Sequence, residues 1–400
     1  MMIRKEFFII LILISLLNNN FSYSQLKFNK VELSGQQNVI SSAVPFLMIA
    51  PDSRSGAMGD VGAATKPDAN SLHWNPAKYA FIKRDFGVSI SYTPWLKALV
   101  DDIGLSYLSL YKRIDDKQTF ALSLLYFSLG SITFTDINGS TLRDYEPKEL
   151  SVDLAYARKL GERISGGLAG RYIYSNLTGG IGSSGSDTKP GNAIAMDVST
   201  YYENSDLSIG KTDLTWAWGV VISNIGNKIS YSEEESSFLP ANLRLGTAFT
   251  VDIDEFNSIS IATDINKLLV PTPAKYEEDE DGVFIIEEGK DNDVSVVSGM
   301  MNSFNDAPDG MSEEFRELTY SFGLEYLYNE QFAIRGGYFH EDATKGNRKY
   351  YTMGVGIKLS VFSLDFSYLV PTEAHNPLEN TLRFSLNFNF EGFPKQEFLE

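Results

Sequence analysis

The 400-residue chain has no cysteine and only three histidines. Without cysteine no disulfide can form, so an exported protein of this size must rely on packing and ladder hydrogen bonds. A lipid anchor on a cysteine at a signal cleavage site is excluded for the same reason. His73, His340 and His375 are too scattered for a metal pair at i and i+4. Positive charge is also scarce, with 34 Lys and Arg against 52 Asp and Glu and a net charge of −18, which excludes a nucleic-acid binder. The longest apolar run, Phe7 to Leu17, is too short for a membrane helix, which needs roughly 20 residues. There is no nucleotide-binding Gly-rich loop with Lys-Ser/Thr, and no GxSxG nucleophile elbow. A Ser-His-Asp triad is recognised by geometry and not by motif, but no catalytic, cofactor-binding or metal-ligating residue is assigned from these patterns.

What is present begins with an export signal. Arg4 and Lys5 precede the apolar run, followed by Asn18 to Asn20 and the small-residue pattern Ser22-Tyr23-Ser24. This predicts a signal peptide over residues 1–24. At the other end, Leu382, Phe384, Leu386, Phe388 and Phe390 alternate with Arg383, Ser385, Asn387 and Asn389. Successive strand side chains point to opposite faces, so one face is apolar and the other polar. The pattern recurs along the chain, and 13% of residues are aromatic. Together these predict an antiparallel transmembrane β-barrel with interfacial girdles, in an outer membrane.

Alternation and turn residues divide the chain after residue 84 into fourteen strands, at about 85–95, 103–113, 118–130, 149–159, 163–176, 193–203 and 214–223, then 241–251, 256–265, 318–328, 331–340, 349–359, 361–370 and 381–391. The connections alternate short and long, matching periplasmic turns and extracellular loops. Asn204 to Asp213 is the exception, being too long for its short class. With the N-terminus in the periplasm, both termini are expected on that side. The barrel would span 85–391, leaving a periplasmic tail at 392–400.

Three segments stand outside the wall. From Lys275 onward the loop 266–317 is rich in acids, including Glu277, Glu278, Asp279, Glu280 and Asp281, with only Lys275, Lys290 and Arg316 in opposition. It lacks calcium-loop spacing and reads as solvated or partner-facing. Trp95, Leu96, Leu99 and Val100 form an apolar cluster in an expected outer loop. They belong to a girdle, fold over the barrel mouth, or form a protein-docking surface. Residues 25–84 differ in texture from the wall. Their glycines and small residues, with the turn-forming Asn75-Pro76, predict a plug or lid at the periplasmic mouth.

Within that segment, PFLMIAPDSRSGAMGDVGAAT is followed by DANSLHWNPAKYAF. These blocks resemble the PorV family of the type IX secretion system of Bacteroidota, and the likeness runs over essentially the whole chain after the signal. The specific part comprises Pro51, Asp52, Arg54, Gly56, Met58, Gly59 and Asp60; Asn75 and Pro76 are shared more widely with FadL-like transporters. Ser53 departs from the pattern, where alanine is expected. The resemblance implies a fourteen-stranded FadL-like barrel without enzymatic turnover. It implies association with a giant translocon barrel, binding of the C-terminal domain of exported cargo, and delivery to a cell-surface attachment complex. Outer-membrane lipid would surround the wall. The rival expectation is passive transport of hydrophobic small molecules through the lumen.

Overall fold

Alternating strands close on themselves when each has a neighbour on both sides, and the computed structural model shows this closure. It describes residues 38–390, apart from 98–99, 101, 136–137, 180–187, 211, 233–235, 279–283 and 374–375. The expected signal peptide, the first part of the expected plug segment (25–37), the tail 392–400, Leu99, His375 and Asp279 to Asp281 lie outside the described residues. The first half of the wall uses β1 (Phe86–Pro94), β2 (Ile103–Arg113), β3 (Gln118–Leu129), β6 (Lys148–Lys159), β7 (Ile164–Asn176), β8 (Gly191–Ile209) and β9 (Thr212–Gly226). The second half uses β10 (Asn242–Asp252), β11 (Asn257–Leu268), β14 (Leu318–Tyr328), β15 (Phe332–His340), β16 (Lys349–Leu359), β17 (Phe362–Pro371) and β18 (Leu382–Phe390). These fourteen strands form one closed barrel. β1 and β18 complete it, with register running from Phe86 opposite Phe390 to Tyr92 opposite Phe384.

The residues facing outward are apolar and exposed, among them Leu122, Leu154, Leu168, Ile194, Ile261 and Val355. Those facing inward are polar or small and buried, such as Ser89, Ser109, Asp153, Ser199 and Asp264. This inversion of a water-soluble core is the surface that hydrocarbon demands. Aromatic residues gather at both rims. Tyr202 stacks on Trp218 at 5.6 Å near the short turns, and the Tyr172 hydroxyl donates to Asn192 (2.6 Å) near the long connections. Each tyrosine can thus keep an apolar ring in lipid while its hydroxyl finds a polar partner.

The short-long alternation holds around the barrel, and the exception disappears. β8 and β9 extend beyond the expected 193–203 and 214–223 as a paired ribbon, joined near Gly210 (φ 69°). The polar run Glu203-Asn204-Ser205-Asp206 shows no alternation because that part of the ribbon needs no lipid-facing side. Two small hairpins decorate the long connections, β4 (Ile132–Thr135) with β5 (Thr141–Tyr145), and β12 (Lys275–Glu278) with β13 (Phe284–Glu288).

The N-terminal segment goes further than a lid. From residue 38, the first described, it lies at the mouth bearing the long connections, where Asn38 N donates to Thr344 O (3.1 Å) and Ala43 N to Phe238 O (2.9 Å). It then runs through the lumen as short helices at Pro45–Met48, Ser53–Gly56, Ser71–Trp74 and Pro76–Phe81, reaching the short-turn mouth before β1. The expectation of a plug at the periplasmic mouth is therefore extended: it fills the lumen from one end to the other. The inward small residues explain the fit. A Cβ on Gly323 would lie 2.7 Å from the Met58 Cβ and carbonyl oxygen. At Gly59 the backbone has φ 67° and a side chain would lie 2.6 Å from Tyr338 O, so glycine answers both conformation and contact.

Candidate functional site

The two sequence blocks meet inside the barrel. Asp52 caps the helix Ser53–Gly56 by accepting from Ser55 N (3.0 Å), and its other oxygen accepts from Trp74 Nε1 (2.6 Å). Asn75 performs the corresponding task for the second block. Its oxygen accepts from Ala77 N (3.0 Å) to start the Pro76–Phe81 helix, while its amide donates to Ala63 O (2.8 Å) and the wall carbonyl Thr200 O (3.0 Å). Pro76 occupies the first turn of that helix, where a missing N–H costs nothing. Pro51 is buried immediately before the Asp52 cap.

Charged wall residues hold this assembly. Arg54 forks onto Glu325 of β14 (3.1 and 3.0 Å) and also donates to Asp68 (2.8 Å) and Lys66 O (2.9 Å). Glu325 accepts from Arg335 of β15 (2.7 Å), which reaches Asp365 of β17 (2.6 Å). Asp264 of β11 accepts from the backbone of Gly62 (2.8 Å) and Ala63 (3.0 Å). Asp60 accepts from the Tyr350 hydroxyl (2.6 Å), with the Arg383 guanidinium 3.8 Å away. Arg383 packs over Gly56, where a Cβ would come within 2.8 Å of it. Met58 lies buried against the wall glycines. The departure at Ser53 also has a partner, because Ser385 Oγ of β18 donates to its hydroxyl (3.2 Å).

The plug residues singled out from sequence thus come together. Their wall partners Asp264, Glu325, Arg335, Asp365 and Arg383 were not singled out. The available signal was a charge at an inward position of an otherwise apolar-polar strand. On either side of the plug remains a hollow. One, about 450 Å³ at the short-turn mouth, is lined by Phe81, Lys83, Lys159, Arg163 and Glu203. The other, about 330 Å³ at the long-connection mouth, is lined by Val44, Phe127, Leu129, Glu149 and Tyr231.

The outer-loop residues divide. Trp95 and Leu96 are half-buried over the mouth, packing beside Phe339, Tyr350, Leu369 and Leu378, and Trp95 also meets the Phe46 cluster. Val100 is exposed. The cluster therefore does not stand as one free apolar patch among the described residues.

The acidic loop departs from the expectation of a solvated segment in its second half. Glu313, Glu314 and Glu317 are buried. Lys267, at the end of β11, donates to Glu314 (2.9 Å) and Glu317 (2.7 Å). Lys345, from the connection after β15, donates to Glu313 (2.5 Å) and Glu317 (3.0 Å). One counter-charge, Lys267, stands at the wall end of the loop before its acidic run, and the other, Lys345, comes from a different connection that no count within the loop includes. Thr272 Oγ1 donates to Glu317 (2.7 Å), and Asn38 Nδ2 to Glu313 (2.8 Å), joining the plug's entry to the loop. Burial pushes the Glu313 carboxyl up. The Lys345 ammonium, the Asp309 amide and Asn38 outweigh it and hold that carboxyl below the usual range.

Residues 32–275 match the family model described as type IX secretion system protein PorV. No curated protein matches the chain. Among solved structures, the Pseudomonas putida toluene transporter TodX is similar at 10% identity and a TM-score of 0.47, covering 89% of this chain and all of that one. A Pseudomonas aeruginosa FadL homologue is similar at 11% identity and a TM-score of 0.40, covering 89% of this chain and 99% of the other. Likenesses this distant carry no argument about ligands.

Proposed function

We propose, from the premise that this chain belongs to the PorV family of type IX secretion proteins, that it carries exported cargo rather than a small molecule. It is an outer-membrane component of that secretion system, built as a multi-pass β-barrel. In this reading it associates with a giant translocon barrel, binds the C-terminal domain of a cargo protein as it emerges, and delivers it to a cell-surface attachment complex. The work is binding, without turnover. The observation that carries the choice is the plug. The Arg54–Glu325–Arg335–Asp365 chain ties the plug to one side of the wall, on residues that a transport path for hydrophobic molecules would have to displace.

Buried ion pairs of this kind are costly to break, because each unpaired partner remains desolvated. A lumen closed in this way leaves the outer surface as the place of contact with large partners. The test is affinity purification from the native outer membrane in mild detergent, followed by mass spectrometry. We expect a very large barrel protein and exported proteins sharing one C-terminal domain. A lone barrel carrying extractable fatty acid would overturn the reading in favour of the transporter.

A further inference from the structure

Helix Met311–Arg316 is built inside out. Its Glu313 and Glu314 are 2% and 5% exposed, whereas Met311 and Phe315, one turn apart, are 61% and 63% exposed. Helix Val296–Asn302 repeats the arrangement. It seats Gly299 against Phe238 and Pro271, and leaves Val297 and Met301 at 70% and 69% exposure, with Phe304 following at 45%. A helix in water normally turns such residues inward. The orientation of Met311–Arg316 is fixed by the buried pairs of Lys267 and Lys345 with the three glutamates, and that of Val296–Asn302 by the seating of Gly299 on Phe238 and Pro271, so the apolar side chains are presented by an ordered support. An exposed apolar patch on an ordered support marks an interaction site.

The charge around this face selects the occupant. Lys290 reaches Asn305 (2.5 Å) and Lys275 lies 3.6 Å from Asp309, which places the β12–β13 hairpin and its following turn beside the helices. That neighbourhood exposes Glu277, Glu287, Asp291 and Asp293. An anionic lipid headgroup would be repelled, and so would a second copy of this chain presenting the same acids. We infer that the outward face formed by Val297, Met301, Phe304, Met311 and Phe315 docks an exported protein domain whose own contact surface is apolar and rimmed by lysine and arginine. The inference rests on the secretion reading above and assigns its cargo contact to the loop between β11 and β14. Apolar anchors would supply the affinity; the acidic surround would speed encounter and exclude acidic partners.

The test uses the full-length barrel purified in detergent, with the Met301→Ser/Phe315→Ser variant beside it. Both substitutions are at exposed positions, and heat-modifiable gel migration checks that the barrel is folded. The probe is the purified C-terminal domain of a protein exported by the same cells. We expect the wild type to bind it, more weakly as salt rises, and the variant to bind at least tenfold less while still co-purifying with the large translocon barrel. Unchanged binding by the variant would overturn the inference and leave the secretion reading standing. A wild type that captures neither the domain nor the large barrel would sink both. A photo-crosslinking residue in place of Met301 gives a second readout on whole cells. Adducts with an exported domain support the inference; adducts confined to lipopolysaccharide or to a second copy overturn it.

Discussion

Glu325 shows how a single side chain can hold the plug to the wall. It is 1% exposed and pairs with Arg54 from the plug and Arg335 from the neighbouring strand. Glu325→Gln would remove the carboxylate that two guanidiniums share, leaving Arg54 only Asp68 and Arg335 only Asp365. Breaking a buried pair typically costs about 3–5 kcal/mol. The expected outcome is an earlier urea unfolding midpoint and faster proteolysis after Arg54. Replacing Arg54 and Glu325 together by Met should recover part of the loss, because neither charge is then stranded. At the same scale, Glu313 gives a pH dependence. Its folded carboxyl is held below its unfolded value, so its contribution is present above the unfolded value and is lost as pH falls through the folded one. Limited proteolysis of the loop between β11 and β14 should therefore accelerate on acidification below the usual glutamate range. Glu313→Gln should flatten that profile.

At the level of elements, the strands were legible because lipid on one side and a polar interior on the other impose period-two alternation. The final strand was expected at 381–391 and occupies Leu382–Phe390; β2 was expected at 103–113 and occupies Ile103–Arg113. Where lipid no longer touches the chain, the signal fades. The hairpins β4–β5 and β12–β13 and the short-turn end of the β8–β9 ribbon went unread for that reason. The role of inward glycines was equally silent, since a small residue facing a polar lumen violates no pattern. Gly337 shows their use: its inward side lies against Met58 and Gly59. Gly337→Val should prevent the plug from seating while the strand still pairs. The expected result is a protease-sensitive Met58 region in a barrel that keeps its heat-modifiable migration.

The whole molecule has two unlike ends, and their assignment can be tested directly because the chain has no cysteine. Long connections face outward in barrels of this kind, and Val39, near the entry to the plug, is exposed at that end. A Val39→Cys variant should react with a membrane-impermeant maleimide on intact cells. Asp116→Cys, on a short turn, should react only after the envelope is opened. Labelling of Asp116→Cys alone on intact cells would reverse the orientation and the surface role proposed for the loop.

From the sequence alone came the compartment, the membrane, the fourteen-stranded wall and the family resemblance, because hydrocarbon and turn geometry act on residues close together in the chain. The motif from Pro51 to Pro76 was legible as a unit, though its partners were not. Only the tertiary structure decided that the plug spans the lumen, that Arg54 meets Glu325 at a separation of 271 residues, and that Lys267 and Lys345 turn an acidic helix inside out. Those outcomes depend on charges brought together by barrel closure. Buried electrostatics is set by neighbours in space, whereas alternation is set by neighbours in sequence.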